Sequence, residues 1–116
     1  MARILVHSAT GPENATRAAL ALLVARTAVE EGHEVQVFIA GDGVHLADQE
    51  KAAATNGLGT GSVAEHLAAL HGAGLTVFLS GMSSKARGIE GGEGFELAPP
   101  QKLVELATWA DSQLTY

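Results

Sequence analysis

Fifteen residues, Leu75 to Ile89 (LTVFLSGMSSKARGI), constrain this chain most. They open on an apolar run, Leu75, Val77, Phe78 and Leu79, of residues that fit a strand buried on both faces. The run stops at Ser80-Gly81, and small and polar residues follow, ending in Lys85, Ala86, Arg87 and Gly88. This order predicts a buried parallel strand that delivers a loop to one edge of a sheet. In open α/β sheets, ligands sit outside the carboxyl ends of the strands. Ser80 to Arg87 is therefore the expected place of a site.

The remaining segments supply the rest of such a sheet. Arg3 to His7 reads as a short strand, with Ile4, Leu5 and Val6 continuous. Ser8 to Glu13 is a turn punctuated by Gly and Pro, and Asn14 is placed to cap the helix after it. That helix, Ala15 to Glu31, is rich in Ala and Leu and stops at Gly32. Glu34 to Ala40 is a second strand, ended by Gly41-Asp42-Gly43. Val44 to Ala54 reads as a short irregular helix and Asn56 to Gly61 as a flexible loop. Ser62 and Glu65 have capping-box spacing for a helix that carries Val63, Leu67 and Leu70 on one face. After EGGEG, Phe95 to Leu97 suits a short strand, and Pro99-Pro100 a helix entry. Leu103, Leu106, Ala107 and Ala110 recur at helical spacing, Asp111 and Ser112 break the helix, and Gln113 to Tyr116 is a last strand. The order is strand, helix, strand, helix, strand, loop or helix, strand, helix, strand, which gives the fold class: one α/β domain over residues 1–116, a sandwich on a mostly parallel sheet.

Composition narrows the function. The net charge is -6, and seven Lys and Arg lie scattered among thirteen acids, so there is no basic face for nucleic acid. No apolar run approaches the roughly 18 residues of a membrane span, and the N-terminal apolar run lacks the h-region of a signal peptide. With no Cys there is no disulfide framework and no thiolate metal site. The expected location is cytoplasmic. One Trp, one Tyr and three Phe make the core depend on Ala, Val, Leu and Ile. So thin a core gains from subunit contacts, and Trp109, Leu106, Met82 and Tyr116 are the expected interface residues, with packing inside the domain the plainer role for Leu106.

Several groups suggest chemistry. Ser80 and His7 are read as ending neighbouring strands, the arrangement of a nucleophile and its base. The surroundings of Ser80 are not a G-x-S-x-G elbow, since residue 78 is Phe and residue 82 is Met, and the bland role of Ser80 is to satisfy backbone groups at a strand end. Lys85 and Arg87 form a local basic pair suited to an anion, or, more plainly, to a subunit contact or a surface pair with Glu90. Gly57, Gly59 and Gly61 are spaced G-x-G-x-G with no strand before them, which reads as a linker rather than a dinucleotide loop. His45, His66 and His71 show no recognised ligand spacing, so no metal and no cofactor are expected. The lining of the expected crevice is His7, Ser8 and Thr10 after the first strand, Asp42 after the second, and Ser80, Gly81, Met82 and Arg87 after the third.

Four stretches together resemble the DsrE/DsrF-like family of small sulfur-relay and related proteins: TGPENATRA, GHEVQVFIAGDGV, FLSGMSSKARGI and LATWADSQLTY. The resemblance implies a three-layer domain with a five-stranded parallel sheet, assembled as a homotrimer or homohexamer. Sulfurtransferases of the family carry a persulfide on a Cys at the end of the third strand. Counting back from Arg87-Gly88-Ile89, that position is Ser80. A hydroxyl has no accessible anion near neutral pH, whereas a thiol of pKa about 8.5 supplies some thiolate. The sulfur-carrier activity is therefore not implied. Two readings follow: an oligomeric ligand-binding or adaptor protein, or an enzyme acting on a small anionic substrate through Ser80, His7 or Arg87.

Overall fold

The computed structural model describes residues 1–116. Five strands form one sheet: β1 (Arg3–Ser8), β2 (Glu34–Ile39), β5 (Val77–Ser80), β6 (Phe95–Ala98) and β7 (Ser112–Thr115). Their order is β6-β5-β2-β1-β7, and every neighbouring pair is parallel.

The layers follow from this order. From β1 to β2 to β5 the chain steps along the sheet in one direction, and right-handed crossovers keep the helices of those steps on one face. These are α1 (Ala15–Glu30), α2 (Gln49–Ala54) and α3 (Val63–Gly72). From β6 the chain returns the other way to β7, which puts α5 (Pro100–Trp109) on the opposite face. Strand alternation matches these two faces. Val6, Val37, Ile39, Val77 and Leu79 join α1 and α3 in the larger core. Leu5, Phe38 and Ala98 join Leu106 of α5 in a smaller one, with Phe78 partly buried beside them.

Alanines make the larger core compact. Ala18, Ala19, Ala21, Ala25 and Ala28 of α1 are buried, so its axis lies close to the sheet. Each contributes less than Leu22, where full burial is worth about 1.5–3 kcal/mol. Both capping expectations hold: Asn14 accepts the Arg17 N–H, and Ser62 accepts the Glu65 N–H.

Three segments are more ordered than the sequence reading required. The residues after β5 form a helix, α4 (Gly81–Arg87), at the place where the alternation allowed a loop or a helix. Ser80 caps it by accepting the Ser83 N–H at 3.2 Å, and Gly88 ends it at a φ of 69°. The expected irregular helix from Val44 is two elements, a 3₁₀ segment (Gly41–Ala47) and then α2, whose first N–H groups bond the Asp48 carboxylate. Asn56 to Gly61 is not a free loop. It holds a small hairpin, β3 (Asn56–Gly57) with β4 (Gly61–Ser62), tied to α1 through both the Thr16 hydroxyl and carbonyl.

Candidate functional site at the strand ends

Parallel strands bring the segments after β1, β2 and β5 to one edge. The first two pack backbone to backbone. The Ala40 N–H bonds the Ser8 carbonyl at 2.9 Å, and the buried Ser8 hydroxyl accepts the Thr10 N–H at 3.3 Å. A Cβ on Gly43 would stand 2.6 Å from Ile39 Cγ2 and 3.1 Å from the Thr10 carbonyl oxygen. A Cβ on Gly11 would overlap the Asp42 carbonyl oxygen. Glycine is needed at both positions for close approach.

The third segment is pinned to the second. The Gly41 N–H donates to Ser83 Oγ at 2.9 Å. Arg87 donates through Nε to Asp42 Oδ1 at 3.1 Å and through a terminal nitrogen to the Ser83 carbonyl at 3.2 Å. Arg87 therefore pairs with Asp42, across the edge, and not with Glu90. Gly81 starts α4 against the Ala98 carbonyl, and Met82 stands 71% exposed beside it.

The structure does not join His7 to Ser80. Their strands are not neighbours, because β2 runs between them. His7 pairs in register with Phe38, Phe38 with Phe78, and Ser80 lies two residues beyond. Two strand spacings amount to about 9–10 Å, well beyond a hydrogen bond. Each side chain is otherwise engaged. Ser80 caps α4, and His7 meets Phe38 edge-on, ring centroids 6.1 Å apart. Burial lowers the His7 pKa from its ordinary value, so the ring is neutral at neutral pH. The sequence reading erred here because strand order is a tertiary property.

A cleft of about 390 Å³ opens at the same edge, lined by Pro12, Glu13, Asp42, His45 and Lys51. Its floor is set by Glu13, whose carboxylate accepts the Gly11 N–H at 3.0 and 3.1 Å. Lys51 Nζ and His45 Nδ1 lie 3.0 Å apart on its far side. Glu13 and Lys51 were not among the expected site residues. Only the Gly11–Glu13 turn gave a signal for the first. Lys51 reaches the cleft from the first turn of α2. His66 is buried in another place, with Nε2 2.8 Å from the Thr60 carbonyl oxygen, and serves the hairpin.

Comparison with known proteins agrees with this architecture. Residues 2–116 match the model of the DsrE/DsrF-like family. No curated protein matches the sequence. Among solved structures, the ychN protein from E. coli superposes with a TM-score of 0.84 at 21% identity, covering 100% of both chains, which is a likeness of fold. With a match over nearly its whole length and a strand order that carries the family's five parallel strands, the chain belongs to the DsrE/DsrF-like family.

Proposed function

We propose that this protein is a non-enzymatic, oligomeric member of the family that binds a small anionic ligand at the strand-end edge and carries no sulfur. The observation that carries this reading is the state of Ser80. It occupies the end of β5, and its hydroxyl is committed to capping α4. No Cys anywhere in the chain replaces it. The lack of a hydrogen-bonded base beside Ser80 supports binding over catalysis. The ligand's charge would be met by Lys51 and by Arg87 exchanging part of its bond to Asp42. A chain without disulfides suits the cytoplasm.

Mass spectrometry after incubation with a persulfide donor tests the sulfur half. The wild type gains no covalent sulfur, whereas Ser80→Cys gives a thiol that alkylates in the folded state. A covalent gain of one sulfur atom in the wild type refutes the reading. Titration with inorganic phosphate tests the other half, and weaker binding by Lys51→Ala is the expected outcome.

A further inference from the structure

Leu58 stands at the tip of the β3–β4 hairpin and is 90% exposed, more than any other large apolar side chain of the protein. The tip that carries it is nevertheless held in place. The Leu58 N–H donates to Thr16 Oγ1 at 3.1 Å, and the Thr60 hydroxyl donates to the Thr16 carbonyl at 2.9 Å. His66 Nε2 lies 2.8 Å from the Thr60 carbonyl oxygen and ties the same turn to α3. Gly57, Gly59 and Gly61 put no other side chain around the Leu. The hairpin thus presents one apolar knob on a fixed base, and seating such a knob costs little conformational freedom.

A hole of matching character lies elsewhere on the same chain. A cavity of about 530 Å³ opens between α2, α3 and the glycine-rich segment before β6. Leu46, Ala52, Leu67 and Phe95 form apolar walls. Gly91 and Gly92 offer bare backbone on one side, and Ala68, exposed on α3, leaves the mouth open. No residue of the hairpin or of α1 lines this cavity, so Leu58 does not fill the hole of its own chain. The charges beside knob and hole are opposite. Arg17 follows Thr16, the residue that holds the knob, and Glu93 lines the hole. Both are exposed, and neither has an ion-pair partner within its own chain.

We infer that the cavity is the seat of Leu58 from a second copy of this chain, with Arg17 of the copy that gives the knob facing Glu93 of the copy that gives the hole. Such a contact is heterologous, because two different patches meet. Each copy supplies one knob and one hole, so the contact repeats around a ring when its rotation closes. The inference rests on the oligomeric reading above and assigns it a surface.

The absence of Cys makes a selective test possible. Leu58→Cys and Ala68→Cys are made in separate, differently tagged chains, co-expressed and treated with a short bis-maleimide. The expected result is a linked pair holding one chain of each kind, whereas neither variant alone is linked. In light scattering at micromolar concentration, Leu58→Asp and Ala68→Trp, which fills the mouth of the hole, each lower the particle mass. Leu58→Ala weakens association about tenfold or more on dilution. Arg17→Glu lowers the mass, and adding Glu93→Arg to it restores the mass. Circular dichroism melts verify that each variant is folded. A linked pair that does not form, wild-type mass in Leu58→Asp at every dilution, or a charge swap that restores nothing overturns the inference and leaves the oligomeric reading standing. A wild type of single-chain mass at every concentration overturns both.

Discussion

Arg87 closes the strand-end edge by bonding Asp42 at 3.1 Å, across 45 residues of sequence. The two ends of this contact are not equivalent. Asp42 is more than half exposed, and an exposed ion pair contributes about 0.2–1 kcal/mol. Arg87 is less exposed and also holds the Ser83 carbonyl. Asp42→Asn should therefore lower unfolding stability by about 0.5 kcal/mol or less. Arg87→Ala should cost about 1–2 kcal/mol, through the second hydrogen bond and its packed stem. Urea denaturation of both variants measures the gap. Equal losses would mean that the pair itself anchors α4.

Two serines, the cap of α4 and one inside it, should respond in opposite ways. Ser80 accepts the Ser83 N–H, and Ser80→Ala removes a cap worth about 1 kcal/mol. Ser84 is fully buried, and its hydroxyl has no partner. Ser84→Ala removes an unpaired polar atom and installs the best helix former, so it should be neutral or stabilise by up to about 1 kcal/mol. Thermal melts of the two variants give the comparison. A loss on Ser84→Ala as large as that on Ser80→Ala would show that the buried hydroxyl is bonded in solution.

These serines also show why part of the fold was legible and part was not. The apolar strands and long α1 carry their periodicity locally, and Asn14, Ser62 and Gly32 mark helix ends by side-chain chemistry that acts within a few residues. The run Gly81-Met82-Ser83-Ser84 holds weak helix formers, and α4 forms because Gly41 and Arg87 tie it to the β2 loop. The two-residue strands of the hairpin are too short to show a period, and Thr16 of α1 holds them from outside. The position of β2 between β1 and β5 has no local signature, and for that reason His7 and Ser80 were brought too close. The pairing of His71 with Gly94 joins residues that only the sheet order brings together.

His7 makes stability depend on pH in a definite direction. Burial lowers its folded pKa, while the unfolded chain keeps the ordinary value of about 6.5. Between the lowered value and about 6.5, the unfolded state binds more protons, so stability rises with pH across that window. The contribution is complete above about 6.5 and is lost as pH falls toward the folded pKa. His7→Gln should therefore show a smaller drop in Tm between about pH 8 and pH 5.5 than the wild type. An identical drop would assign the dependence to other groups.

The last prediction is self-association. The five-stranded sheet ends in two short strands, and each presents an unpaired outer edge and an exposed Leu, Leu97 on β6 and Leu114 on β7. Val104 on the outer side of α5 and Met82 on α4 are also exposed. On the second face of the sheet α5 stands alone, and Phe78 is only partly covered there, with Lys102 Nζ 4.8 Å from its ring centroid. Isolated apolar side chains are ordinary on a surface, but this chain adds them to a core built largely from Ala, Val and Leu with a single buried aromatic, Phe38. Burying them between subunits would supply apolar area that one domain lacks. Of the four expected interface residues, Met82 is the most available, Trp109 and Tyr116 are half-buried, and Leu106 is spent inside the smaller core. Light scattering at micromolar concentration should give three or six times the 11.9 kDa chain mass. Met82→Lys should lower that mass and make Tm depend on protein concentration over a wider range. A wild-type particle of single-chain mass, melting at one temperature at all concentrations, would show that the small core suffices alone.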